Sequence, residues 1–407
     1  AMEGPVVAGS GWQSQVPFNL SNATVYRDGK TASLEAVQDR DVVYWSDSMR
    51  TVWAYSDKVT GTYEAASPSI TAPTSVTVAG KTYAVETTEA AYALSDLGNY
   101  QIGDTVTLLL GRSGGVAAVD EADVAGGVLY GVITKAEITS YDDGNGESYS
   151  SRTITVYATN GGSYRYQTTD RNLTEGQLVR VELGSQPIIT RLAGIQLTGK
   201  VNSDATMLGR YPLADDVQII DTYEQCTPIQ IYPQRLAGVN MTDNMVRYYV
   251  LNAQGEISHL ILNDATGDIH QYGVITVSDE QETILPNGDV TLSSSYTYDV
   301  GGQKLTFSNP STAYGLEVGP CQAKMSSDTQ AERLYNLTER KLSGITGSVA
   351  LGTDNQQYAL SEHVAVYELV NGTYMLSNLS RVSNGGYVLT GWYDKPASEG
   401  GCIRVIV

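Results

Sequence analysis

At 407 residues the chain exceeds what one ordinary hydrophobic core organises, which argues for several domains. Asp and Glu number 45 against 25 Lys and Arg, a formal charge of −20 that argues against nucleic acid as a partner and suits a solvated or cation-recruiting surface. Charged residues make up only 17% while Gly alone contributes 41 positions, a composition of strands and turns more than of amphipathic helices. Cys226, Cys321 and Cys402 lie far apart and form no CxxC pair, so neither a disulfide framework nor a zinc site is implied. The chain has no run of 18 apolar residues, so membrane insertion is not expected, and Ala1-Met2 reads as a remnant ahead of a fragment that carries no signal peptide.

In chain order, residues 1–16 are a Gly- and Ser-rich lead-in. A first β module is expected over 17–67, with a strand at Thr24-Val25-Tyr26, a hairpin turn at Asp28-Gly29 and a single helical turn capped by Ser33. Two further strands, Asp41 to Trp45 and Thr51 to Tyr55, follow, and Trp45 and Trp53 are expected as core or interface aromatics in preference to a ligand platform. Pro68, Pro73 and a loss of periodicity predict a linker from Ser67 to Thr74. The second module, 74–124, has a short helix over Glu89 to Asp96 ended by Gly98 and a strand from Val106 to Leu110.

From residue 128 the chain repeats. Tyr130-Gly131-Val132-Ile133-Thr134 returns 142 positions later as Tyr272-Gly273-Val274-Ile275-Thr276. Each copy leads to a pair of alternating strands around a Gly-containing turn, at Asn160-Gly161-Gly162 and at Gly301-Gly302, the pattern of a half-buried hairpin. A second phrase, Leu197-Thr198-Gly199-Lys200-Val201, returns as Ile345-Thr346-Gly347-Ser348-Val349. The spacing predicts modules at 128–194, 195–268, 269–342 and 343–407, with 128–194 and 269–342 as copies. The fold class is therefore all-β, tandem small barrel or sandwich modules with at most one or two short helices. In the second half one stretch has a helical pattern, Asp328 to Arg340, where Ala331, Leu334, Tyr335 and Leu337 are placed to cover a sheet.

The wording of the first part is familiar. Thr51-Val52-Trp53-Ala54-Tyr55, the run Lys58-Val59-Thr60-Gly61-Thr62-Tyr63-Glu64-Ala65-Ala66-Ser67-Pro68, the run from Pro73 through Gly80 to Tyr83, and Gly103-Asp104-Thr105-Val106-Thr107-Leu108-Leu109-Leu110-Gly111-Arg112 together resemble a known family region. It is the region that follows the S-layer-homology repeats in large surface proteins of gut Clostridia. The resemblance is densest over residues 20–135. It implies a non-catalytic, structural or display part of an extracellular, cell-surface or cell-wall protein, with self-association in a surface lattice as its partner interaction. The Phe-x-Asp and Trp-Ala segment with a downstream Ile-Thr-Arg-Ala-Glu that marks the S-layer-homology repeat does not occur in these 407 residues, so wall anchoring is expected of another part of the parent protein.

Catalytic motifs are sparse. His259, His270 and His363 make no HxxxH or HExxH spacing, and no Gly-x-Ser-x-Gly elbow accompanies them. His259 and His270 flank Asn263 to Gly267, which places them to approach across a turn. With 45 acids, a carboxylate pair for glycoside hydrolysis is not identifiable by position, and no catalytic residue is assigned. Asp142-Asp143-Gly144-Asn145-Gly146-Glu147 gathers hard oxygen donors, making Asp142, Asp143, Asn145 and Glu147 the candidate ligands for calcium, the one cofactor the sequence admits. Its spacing fits neither the EF-hand nor the nonapeptide repeat, and Asp-Gly-Asn-Gly is equally what a tight turn requires. Twenty-eight tyrosines against two phenylalanines suit half-wet strand faces, which either fill small barrels, meet other proteins or stack on sugars. The alternatives to a structural region are accordingly an adhesin module for carbohydrate or host protein and, more remotely, a glycoside hydrolase.

Overall fold

The computed structural model describes all residues except 122–126, 143–147, 184–186 and 384, and describes only the backbone of 139–142, 148–149 and 151. Strand accounts for about 54% of the chain and helix for about 7%, and the two α-helices, Thr88–Ala93 and Leu379–Val382, are short, so the class is all-β. No helix among the described residues is long and apolar enough to cross a membrane. The chain divides into two compact units, Ala1–Ile195 with Gln218–Ile220 and His259–Ile261, and Gln196–Val217 with Asp221–Ser258 and Leu262–Val407.

In the first unit, a five-stranded sheet runs in the order Glu3–Val7, Val42–Ser46, Thr51–Tyr55, Thr24–Arg27 and Lys30–Ala32. The Asp28-Gly29 turn forms as the sequence predicts, with φ of 51° and 80° at its two central residues, left-handed values that glycine adopts without strain and aspartate tolerates better than bulkier residues. A larger sheet follows, in which Asp57–Ser67 lies between Thr105–Leu110, antiparallel to it, and Ser163–Thr168, parallel to it. The Ser67–Thr74 stretch is a hairpin loop, which corrects its reading as a linker: Ser67 faces Ser75 across a continuing ladder, and Thr74 N–H donates to the Ser67 carbonyl. Pro68 and Pro73 punctuate this loop without ending the sheet. The short helix is where the sequence puts it, capped by Thr87, whose hydroxyl accepts from Ala90 N–H. It covers a core of Val59, Tyr63, Val76, Val78, Leu94 and Leu108.

The second unit contains a closed five-stranded barrel made of Thr338–Thr346, Val349–Gly352, Gln357–Val370, Ile403–Ile406 and Leu389–Tyr393. Before it comes a five-stranded sheet ordered Gln303–Phe307, Val290–Val300, Gln271–Ile284, Gly319–Met325 and Ala331–Asn336. The predicted helix over Asp328 to Arg340 is instead the strand Ala331–Asn336 and the start of Thr338–Thr346. Ladder pairing with Gly319–Met325 overrides the helical spacing: Leu334 opposes Ala323 in the core, while its neighbour Tyr335 points outward.

The written repeat is a structural repeat. Val128–Asp142 and Gln271–Ile284 occupy the middle of equivalent five-strand runs, the first within the larger sheet, and their partners match residue for residue. Ile133 opposes Val156 and Ile275 opposes Tyr298, each 23 positions on. Gly131 opposes Val179 and Gly273 opposes Cys321, each 48 positions on. Both strands bulge at the threonine of the motif, and Thr134 and Thr276 each donate through the hydroxyl to a backbone carbonyl of the neighbouring strand, Thr155 and Thr297. The motif glycine has a steric cause, since a Cβ at Gly131 or Gly273 would run into the carbonyl oxygen of Tyr157 or Asp299.

Val132, Ile133, Val274 and Ile275 are all buried, so both faces of each motif strand are covered. We expect Ile133→Ala and Ile275→Ala each to cost roughly 2–4 kcal/mol through lost transfer energy and the cavity left behind. Hydrogen exchange on each variant checks this: protection should fall first in 128–183 for the former and in 271–336 for the latter.

Candidate functional site

The parallel junction between Asp57–Ser67 and Ser163–Thr168 sets Lys58 opposite Tyr164 and Val59 opposite Arg165. Polar side chains gather there. The Lys58 amine donates to the Ser56 carbonyl at 3.1 Å and lies 3.9 Å from Asp41 Oδ1, with Lys58 only 6% exposed. Asp41 is fully buried and accepts from Arg27 Nε at 2.8 Å, Arg27 Nη2 at 3.2 Å and Gln38 N–H at 2.9 Å. Burial pushes the Asp41 carboxyl up and the Lys58 amine down, each against the pull of the opposite charges beside it. On the neighbouring residues Arg165 Nη2 meets Asp57 Oδ2 at 2.5 Å and Arg165 Nη1 reaches the Tyr83 hydroxyl at 3.3 Å.

Above this cluster opens a cleft of about 270 Å³. Its lining includes Lys58, Thr60, Thr107, Asp120, Tyr164 and Tyr166. Thr60 and Thr107 share a hydroxyl hydrogen bond of 2.8 Å across the ladder, and Arg40 Nε donates to Asp120 Oδ2 at 2.8 Å at the rim. Tyr164 accepts from Asn160 Nδ2 at 2.8 Å, and its ring stacks near-parallel to Tyr166 with centroids 6.4 Å apart. Tyr166 is 1% exposed, and its hydroxyl has no hydrogen-bond partner among the described residues. Burial pushes that hydroxyl well above the ordinary tyrosine range, so it is a donor at any physiological pH.

A second buried network lies in the second unit. The Arg404 guanidinium, 1% exposed, contacts Asp268 Oδ1 at 2.5 Å, Asp394 Oδ2 at 3.0 Å and the Thr266 carbonyl, with the Tyr272 ring 4.6 Å away. Arg235 reaches the same Asp268 through Nε at 3.0 Å and Nη2 at 2.9 Å, and also the Gly400 carbonyl at 2.7 Å. Burial works against the Asp268 charge, but Arg404 and Arg235 together hold its carboxyl below the usual range. Beside them Asp221, fully buried, accepts from the backbone N–H groups of Thr222, Ala265 and Thr266 and from the Thr266 hydroxyl. Burial nevertheless pushes Asp221 up to about 6, with Asp264 adding to the effect.

The residues singled out by sequence are placed as follows. Both ring nitrogens of His270 are taken, Nε2 against Asp264 Oδ1 at 3.0 Å and Nδ1 accepting from Met325 N–H at 3.1 Å, which leaves none to pair with His259. His259 Nδ1 meets the Thr159 hydroxyl at 2.9 Å, and His363 is exposed. The three cysteines are buried, with the Cys321 thiol pushed up to about 12 by burial. Asp143, Asn145 and Glu147 lie outside the described residues, as does the side chain of Asp142. Among the described residues no group of three His, Cys, Asp or Glu side chains is gathered as a metal would require. Sequence reasoning did not single out the cleft. Its one local trace is Lys58-Val59-Thr60, a strand segment whose polar residues are as deeply buried as its valine.

The fold and these clusters define an all-β protein of repeated five-stranded blocks with charge pairs sealed inside. Comparison with protein-family models, with curated proteins and with solved structures gives no match for the chain.

Removing one partner of a buried ion network strands the other, so Arg404→Met should destabilise the second unit by about 3–5 kcal/mol, measured by denaturant unfolding. Asp221 supplies a pH test. Its folded value near 6 lies above the unfolded value of about 3.9, so the ionised form costs stability above pH 6, and that cost is relieved as pH falls from 6 towards 4. Asp268, shifted the other way, loses its contribution only below about pH 4, outside this window. The gain in stability of the second unit on going from pH 7 to pH 5 should therefore exceed that of Asp221→Asn, by about 1 kcal/mol. Matched denaturant curves of the two proteins at the two pH values read this difference directly.

Proposed function

We propose that the chain is a non-catalytic structural and display region of a bacterial cell-surface protein of the S-layer type, facing the outside and associating with copies of itself. The observation that carries the reading is the Arg404–Asp268–Arg235 network. It joins the turn after Ile257–Asn263, the 3₁₀ segment Pro233–Leu236 and the strand Ile403–Ile406, so these parts of the second unit are fastened to one another directly by side chains. A region that presents other parts of a protein needs such fixed joints more than it needs a mobile site. Repetition with an unchanged register supports the same reading, as does the resemblance of residues 20–135 to surface-protein regions.

For self-association, the hairpin of Gln271–Ile284 and Val290–Val300 exposes Ile284, Leu285, Val290 and Leu292 together near its tip. A contiguous apolar exposure of that kind marks an interaction site more often than scattered single residues do. Sedimentation velocity is the test: the chain should show concentration-dependent assembly that Ile284→Lys with Leu292→Lys abolishes. A monomer at all concentrations would remove the lattice part of the reading. Antibody raised to the chain should label intact cells that make the parent protein, and labelling only after permeabilisation would remove the surface part.

A further inference from the structure

The cleft at the Lys58–Tyr164 junction is a built polar cavity for which the scaffold reading has no use. We infer that it binds one pyranose ring, a neutral monosaccharide unit of a glycan. This goes beyond the scaffold reading, which stands whether or not the cleft is filled.

Size comes first. Pockets for drug-sized ligands occupy roughly 300–1,000 Å³. At about 270 Å³ this cleft takes a single substituted ring and little more. Charge comes next. An anion would face Lys58 but also Asp39, Asp120 and Glu121 in the lining, with Asp41 buried behind. A cation would face Lys58 and Arg40, and an apolar ligand would strip water from the hydroxyls of Thr60, Thr107 and Tyr164 without replacing its bonds. A neutral ring bearing several hydroxyls satisfies this mixture, because each hydroxyl both donates and accepts. Leu183 and the tyrosine rings supply apolar surface for its C–H groups.

Unspent hydrogen bonds point the same way. Tyr166 lines the cleft with a buried hydroxyl that nothing in the described protein satisfies, and a buried unsatisfied donor is costly to keep. Lys58 carries three N–H donors, of which one has a hydrogen-bond partner, the Ser56 carbonyl, among the described residues. Both groups sit on strands held in register on either side, so their positions are fixed before a ligand arrives.

Tyr166→Phe separates binding from folding. Since the hydroxyl has no partner in the protein, its removal should leave the melting temperature unchanged or slightly raised. The full chain would be titrated with the methyl glycosides of glucose, galactose, mannose and N-acetylglucosamine, using saturation-transfer NMR and calorimetry. At least one should bind saturably with one site per chain, and Tyr166→Phe should weaken it about tenfold, the worth of one well-placed hydrogen bond. Thr107→Val, which alters the facing wall, should weaken the same glycoside. Absence of saturable binding by all four, or an affinity unchanged in Tyr166→Phe, would overturn the assignment. So would a lowered melting temperature in Tyr166→Phe, because it would mean that the hydroxyl is already engaged within the protein.

Discussion

A guanidinium taken out of water has to be met by opposite charge and by carbonyl oxygens, and at Arg404 that requirement fixes where the distant turn holding Thr266 and Asp268 must lie against the last strand. Asp268 is 136 positions away in sequence and Thr266 138, while Asp394 is a near neighbour across the loop before the last strand. None of these contacts is strongly stabilising in the sense of net free energy, since desolvation of each charge offsets most of the attraction. Their effect is on choice among packings: an arrangement that separates any two members leaves a charge buried alone. The first unit uses the same logic at Asp41, which Arg27 and Lys58 approach from different strands.

The repeat was legible because its cause is local. A glycine that must pass a neighbouring carbonyl, a threonine that bonds across a bulge and two adjacent apolar residues buried on opposite faces all sit within five consecutive letters, so copying the function of the segment meant copying its spelling. Turns were legible for a similar reason, as Asp28-Gly29 shows. The stretch from Asp328 to Arg340 was misread because its apolar residues, at 331, 334, 335 and 337, follow a helical spacing better than a strand alternation. What decides between them is the hydrogen-bonding edge of Gly319–Met325, which no local pattern announces. Ser67 to Thr74 was misread because prolines punctuate a loop inside a sheet as readily as a boundary between domains.

Neither the ion networks nor the cleft had a comparable signature. Lys58, Tyr164 and Asp120 are brought together by one parallel pairing and two antiparallel ones, and parallel strands carry no short-range mark of their partner. Tyrosine abundance was visible, but abundance does not tell a core-filling ring from a ring that lines a cavity. Tyr166 is both, with its ring packed beside Ile154 and Val156 and its hydroxyl unspent. In a protein so rich in tyrosine and so poor in phenylalanine, the phenol oxygen is the part of the side chain that needs explaining, and several other buried ones, such as Tyr63 on the Leu94 carbonyl and Tyr367 on Asp299, have an acceptor.

Equal offsets in the two copies have a genetic consequence. Because the strand partners stand at the same distance from the motif in both, a crossover between the Gly131 and Gly273 codons would join the first part of one copy to the second part of the other with the ladders on both sides of the motif strand still in phase. The product would be a chain shorter or longer by 142 residues whose new sheet has its hydrogen bonds in place from the outset. The side chains that seal the joints would not transfer so freely, since Tyr272 lies against Arg404 and its counterpart Tyr130 lies elsewhere, against His259. Length in such an array is thus easily altered by recombination, whereas the fastening of each block to its neighbours has to be refitted one residue at a time.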